Sequence, residues 1–158
     1  MPTVYVETTV PSYLTAWPSR DLVRAAHQQI TREWWRTAGQ RFELFISEAV
    51  IQEIAMGDPT AAAERQAAVN QLPILQIDGR VIDLAREYDV ALRLPPKANV
   101  DVLHIACATA YDLDYLVTWN CKHIANGEVI RRLRDFNDAA GRRTPLIVTP
   151  EALLEDEP

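Results

Sequence analysis

The stretch PPKANVDVLHIACATAYDLDYLVTWNCKHIAN, residues 95–126, decides how the rest of the chain is read. Pro95 and Pro96 end whatever precedes them, because proline fixes φ and disfavours helix just before itself. Asn99 then offers an N-cap, and Val100, Leu103, Ile105, Ala106, Ala108 and Ala110 recur at helical spacing over residues 100–111. Asp101 falls in the first turn, with His104 and Ile105 three and four residues later along the same side. Asp112-Leu113-Asp114 stops the helix. Residues 115–119 are short, apolar and β-prone, and Asn120 stands where such a strand ends. Helix, strand, then a polar side chain at the strand's carboxyl tip is how α/β folds place ligands.

Upstream, residues 3–6 are a β-prone run reaching Glu7, expected as a central strand with Glu7 at its carboxyl tip. Residues 21–38 read as an amphipathic helix with Leu22, Ala25, Ala26, Ile30 and Trp34 on one side, stopped by Gly39. A second strand is expected over residues 43–46. Ser47 then resembles an N-cap for a helix carrying Val50, Ile51, Glu53 and Ile54 as far as Gly57. Residues 59–72 and 79–89 read as helices around a third strand at 74–77. Downstream, residues 128–140 form a basic helix and 146–149 a last strand. This alternation implies an α/β fold, a three-layer α/β/α sandwich with a central parallel sheet. Residues 1–150 are expected as one domain, followed by an acidic tail at 151–158.

A chain of 158 residues can build a core without metal or disulfide staples. Its net charge of −6 argues against a protein that coats nucleic acid, yet it leaves room for an enzyme acting on one. Arginines gather at Arg131, Arg132 and Arg134, at Arg142 and Arg143, and earlier at Arg24, Arg32, Arg36 and Arg41. Taken singly, each reads as part of a solvated face. No segment approaches the roughly 18 apolar residues of a membrane span. The opening MPTVYVETTV lacks the basic and apolar regions of a secretory signal, so Cys107 and Cys121 are expected as free thiols in a reducing cytoplasm. Cys121 and His123 lack two further ligands at zinc-site spacing.

Glu7, Glu53, Asp101 and Asn120 are the chemical candidates. Asp101 alone would complement a helix dipole, Glu53 alone would be a solvated position, and Asn120 alone would be turn chemistry. Glu7 resists so plain a reading, because Glu is a poor strand residue and follows a run destined for the core. Carboxylates converging at one sheet edge repel unless protonated or holding a cation, and oxygen ligands of this kind suit Mg²⁺ or Mn²⁺. No convincing Ser–His–Asp or Cys–His arrangement competes with them.

These residues resemble the PIN-domain family, and within it the VapC-like toxins of bacterial toxin–antitoxin pairs. The resemblance rests on Val4-Tyr5-Val6-Glu7-Thr8-Thr9, on Ser47 with Glu53-Ile54, on Asp101 through Ala106, and on Thr118-Trp119-Asn120 with Lys122-His123-Ile124. It implies a parallel-sheet sandwich that cleaves RNA with Mg²⁺ or Mn²⁺ held by an acidic quartet. Glu7, Glu53 and Asp101 would take three of those places and Asn120 the fourth. Glu7 stands where Asp is usual and carries one methylene more. Asn120 stands where Asp is frequent and removes one unit of ligand charge. Thr8, Thr9 and Thr118 are placed to donate hydrogen bonds to the carboxylates, as the partners of metal ligands do. His104 reads as a packed helix residue rather than a general base.

The expected function is therefore a metal-dependent endoribonuclease acting as the toxin of such a pair. The rivals are a DNA or structure-specific nuclease on the same fold and a catalytically silent PIN-like binding module. Arg131, Arg132 and Arg134 are candidates for RNA phosphate contacts. Trp17, Trp34 and Trp35 suggest an apolar groove over residues 11–35 for a small antitoxin protein, and a homodimer.

Overall fold

The computed structural model describes residues 1–155; of the expected tail, residues 156–158 lie outside the described residues. Five strands, β1 (Thr3–Val6), β2 (Glu43–Ser47), β3 (Ile74–Leu75), β4 (Tyr115–Val117) and β5 (Leu146–Val148), form one parallel sheet in the order β3-β2-β1-β4-β5. β1 is central, as the sequence predicts. Val4, Tyr5 and Val6 are all fully buried, since parallel strands are covered on both faces and read as unbroken apolar runs. Val4 pairs with Leu44 on one side and Tyr115 on the other, and Tyr5 with Phe45 and Leu116.

Helices α1 (Thr9–Thr15) and α2 (Leu22–Arg41) link β1 to β2, and α3 (Glu48–Ile54) and α4 (Pro59–Val69) link β2 to β3. The chain then recrosses the sheet through α5 (Gly79–Ala91) and α6 (Asn99–Ala110), while α7 (Gly127–Ala139) joins β4 to β5. The first crossovers run outward from β1 in one direction and the later ones in the other. With right-handed crossovers, α1 and α2 therefore cover one face, and α5, α6 and α7 pack together on the opposite face. That reversal leaves a topological switch point between β1 and β4.

Several local expectations shift for identifiable reasons. Asn99 is not the cap of α6 but its first residue. A 3₁₀ turn over Pro96–Ala98 leads directly into the helix, with Ala98 as the N-cap. Gly39 does not stop α2, which runs to Arg41 and ends where Phe42 turns extended to enter β2. The residues after Glu7 form α1, a helix absent from the sequence expectations; Pro11 lies in its first turn, where no intrahelical N–H is needed. α6 ends as expected, because Asp112 takes a left-handed φ of 54°, a conformation that Asp tolerates.

The expected apolar stripe of α2 is also displaced. Leu22 is 87% exposed, and the buried residues are Gln28, Thr31, Trp34 and Ala38. Gln28 is satisfied locally, accepting from the Ser19 N–H and donating to the Trp17 carbonyl. At the carboxyl end, Pro150–Leu153 forms a 3₁₀ turn with Leu153 buried and its carbonyl accepting from Arg41. No helix among the described residues is long and apolar enough to cross a membrane.

Leu116 lies fully buried in β4 beside Tyr5, so Leu116→Ala should lower stability by about 2–5 kcal/mol in urea unfolding. Leu146→Ala, at a half-exposed edge-strand position, should cost less than about 0.5 kcal/mol. Equal costs for the two would contradict this placement of the core.

Candidate functional site

Four segments meet at the carboxyl edge of the switch point. Glu7 follows β1 directly and its N–H donates to the Val117 carbonyl, which locks it beside the end of β4. Thr8 and Thr9 lead into α1. Glu53 comes from α3, which Ser47 caps through the Ala49 and Val50 N–H groups. Asp101 and His104 lie one turn apart on α6, and Thr118-Trp119-Asn120 follow β4.

The structure joins Glu7 and Glu53 to a histidine. Among the described residues, ligand atoms of Glu7, Glu53 and His104 all lie within 4.8 Å of one another. Glu7 is 2% exposed, and its Oε1 accepts from the Thr9 N–H, the Thr9 hydroxyl at 2.6 Å and the Thr118 hydroxyl at 2.5 Å. Half-buried Glu53 receives the Thr8 hydroxyl and His104 Nε2, both on Oε1. Each carboxylate thus has one oxygen fixed by protein donors, and among the described residues no side chain reaches the other.

Asp101 lies in an adjoining group instead. Its Oδ1 accepts from Asn120 Nδ2 and its Oδ2 pairs with His123 Nδ1, both at 3.0 Å. The His123 backbone N–H donates to Asn120 Oδ1 at 3.0 Å, which closes a ring of three residues. Thr118 couples the two groups, since its hydroxyl donates to Glu7 while accepting the Asn120 N–H. Thr9 does likewise, donating to Glu7 and accepting the Trp119 N–H at 2.8 Å.

Burial pushes the Glu7 carboxyl above its ordinary range, against the opposing pull of His104 and the threonine hydrogen bonds. Partial burial also acts upward on Glu53, but the bond and charge of His104 outweigh it and the carboxyl titrates low. His104 is fully buried, which disfavours its charge. The Glu53 hydrogen bond and the charges of Glu7, Glu53 and Asp101 nevertheless raise it above an ordinary histidine. His104 Nε2 lies in hydrogen-bond contact with Glu53 Oε1 and its Nδ1 lies 2.6 Å from the Tyr5 oxygen, so that in the protonated form both nitrogens donate; Tyr5 in turn lies 2.7 Å from Ser47 Oγ. Burial holds the Tyr5 phenol far above its usual range, so it remains neutral.

His104, His123 and Tyr5 were not legible as members of the site. The available signal was spacing: each histidine follows a candidate, Asp101 or Asn120, by three residues. Arg131 pairs with Glu128 and Asp135, and Arg132 donates to the Leu92 carbonyl.

Two carboxylates with an oxygen each to spare, in a net acidic and mostly buried recess, fit a small divalent cation. His104 fits as the group that holds Glu53 rather than as a ligand, because both its nitrogens are engaged.

No protein-family model matches the chain, and no curated protein does. Among solved structures, the fold is similar to a chain in the crystal structure of VapBC2 from Rickettsia felis bound to a DNA fragment from their promoter. The TM-score is 0.63 at 15% sequence identity, covering 93% of this chain and 98% of that one. A likeness at this identity concerns the fold.

A carboxyl raised by burial contributes nothing to stability below its unfolded pKa and weakens the fold as pH rises through its folded pKa. Glu7→Gln should therefore stabilise the metal-free protein at neutral pH. The gain should shrink to nothing as pH falls below the carboxylate range, measured by urea unfolding across pH. A variant less stable than the parent at neutral pH would contradict the reading of Glu7 as a strained buried charge.

Proposed function

We propose that the chain is a Mg²⁺- or Mn²⁺-dependent endoribonuclease that cleaves RNA phosphodiester bonds as the toxin of a toxin–antitoxin pair. The observation that carries this reading is the convergence of Glu7 and Glu53, each with one oxygen fixed and one to spare, at the switch point of a parallel sheet. The fold likeness to a VapBC2 chain supports the choice of nuclease class.

Glu7 and Glu53 would hold the ion through their second oxygens. Asp101 and Asn120 would complete the donor set through lone pairs left beyond their present partners. When bound, the ion neutralises charge on phosphoryl oxygens as the bond breaks. The chain's own part is positioning. Thr9 and Thr118 fix the Glu7 carboxylate, Thr8 and His104 fix Glu53, and His123 fixes Asp101. The Thr118 hydroxyl keeps the two groups in register. None of these roles requires a covalent intermediate.

A small antitoxin protein and a second copy of the chain are the partners proposed, with a reducing cytoplasm as the compartment. Trp17, Leu22 and Val23 are 90%, 87% and 66% exposed at the start of the α1–α2 hairpin and support a protein contact there. Trp34, expected to contribute to such a surface, is fully buried in the core, and Trp35 packs partly against it.

Asp101→Asn and Glu53→Gln should leave the protein folded, lose Mn²⁺ binding in calorimetry, and lose cleavage of a labelled RNA. Asn120→Asp should lower metal-free stability by setting a carboxylate against Asp101, and should tighten Mn²⁺ by adding ligand charge. RNA cleavage by Asp101→Asn at the parent rate, with Mn²⁺ binding unchanged, would remove the acidic groups from the reaction.

A further inference from the structure

An aromatic stack that the chemistry of phosphodiester cleavage does not use is joined to the acidic groups through Thr9. Tyr13 of α1, His27 of α2 and Trp119 just past β4 lie nearly parallel. His27 and Trp119 are 4.0 Å apart at 12°, and Tyr13 lies 6.4 and 6.2 Å from them at 21° and 26°. Trp119 is buried and fixed at two points, its indole N–H donating to Thr31 at 2.7 Å and its backbone N–H to Thr9. Thr9 in turn holds Glu7, so one hydrogen-bonded unit carries both the stack and the acidic group. Tyr13 and His27 are only half-buried and keep ring surface in solvent.

The charge beside the stack is cationic. The Arg24 guanidinium lies 5.6 Å from the centre of the Tyr13 ring, and Arg24 and Arg20 are exposed and form no ion pair among the described residues. The α7 arginines differ, since Arg131 is already paired to two carboxylates. Buried Thr31, one turn from His27, donates its hydroxyl proton to the His27 carbonyl at 2.6 Å while accepting the Trp119 indole N–H, so it ties Trp119 to α2. Flat rings flanked by unpaired arginines form the surface on which single-stranded nucleic acid stacks its bases while cations follow its phosphates.

We infer that the face formed by Tyr13, His27 and Trp119, with Arg24 beside it, seats unpaired bases of single-stranded RNA next to the bond to be cut. The inference rests on the nuclease reading for its location and names the side chains that would hold the unpaired bases. Duplex RNA cannot use the surface, because its bases are stacked on each other.

The test is fluorescence anisotropy of a labelled oligouridine about ten nucleotides long, in EDTA so that nothing is cut, against the parent and three variants. Tyr13→Leu should weaken binding about tenfold and Tyr13→Phe should bind like the parent, because stacking needs the ring and not the hydroxyl. Arg24→Ala, at an exposed position that does not threaten folding, should weaken binding and lower the salt slope by about one. Tyr13→Leu should not change whatever affinity the parent has for duplex RNA. Absence of oligouridine binding by the parent, or parental affinity in both Tyr13→Leu and Arg24→Ala, overturns the inference. It is also overturned if Tyr13→Leu binds RNA normally but loses self-association in analytical ultracentrifugation, which would make the face a protein contact. Cleavage with Mn²⁺ is scored separately: ring-dependent binding without cleavage by the parent would end the nuclease reading and leave the stacking surface standing.

Discussion

A carboxylate sealed at the tip of the central strand is the constraint around which the carboxyl edge of this molecule is arranged. Glu7 cannot be solvated at 2% exposure, and an isolated buried carboxylate would be protonated or would unfold its surroundings. Three threonine donor contacts and a buried histidine compensate it. Those compensating groups come from α1, β4 and α6, so meeting the needs of one charge fixes the relative placement of three elements. Tyr5 extends the arrangement to β2 by joining His104 to Ser47, and Ser47 caps the helix that delivers Glu53. Folding and site assembly are therefore the same event at this edge.

Much of the fold could be read from the chain because its rules are local. Short β-prone runs alternate with helical periods, Ser47 and Asp112 mark a start and a stop, and an opening apolar strand occupies the centre of the sheet. The misplacements at Asn99 and Gly39 concern boundaries, where neighbouring elements override a residue's own preference, whereas α1 is a short helix with no apolar period to announce it. α2 misleads more deeply. Its buried stripe contains Gln28 and Thr31, and apolar periodicity cannot find a stripe that is polar because it has hydrogen bonds to make.

The site was legible as residue types and much less so as geometry. Glu7, Glu53, Asp101 and Asn120 do reach one edge, but as two linked groups, Glu7 with Glu53 and Asp101 with Asn120. The partition depends on His104 and His123, which no pattern of carboxylates reveals. A histidine one turn from an acid on a helix is common, and only the approach of α3 shows that His104 faces Glu53. Among the cations, Arg131 is paired to carboxylates of its own helix, whereas Arg24 lies over the Tyr13 ring with no ion pair among the described residues.

Taken together, the two departures from the expected acidic quartet become intelligible. Asn120 replaces a possible fourth carboxylate, and its amide donates to Asp101 where a carboxylate would repel it. His104 lies within the field of Glu7, Glu53 and Asp101 and offers one positive charge to three negative ones. Both changes reduce the net charge that the recess must bear when no cation is bound, and the longer side chain of Glu7 is fixed by Thr9 and Thr118. In the proposed metal site the same changes would reduce the charge available to draw a divalent ion from its water, so stability without metal and affinity for metal would be set against each other. The second oxygens on Glu7 and Glu53 would remain for binding, while donors fix their first. Preorganisation of two ligands would then take the place of accumulated charge, with His104 holding Glu53 without occupying its second oxygen.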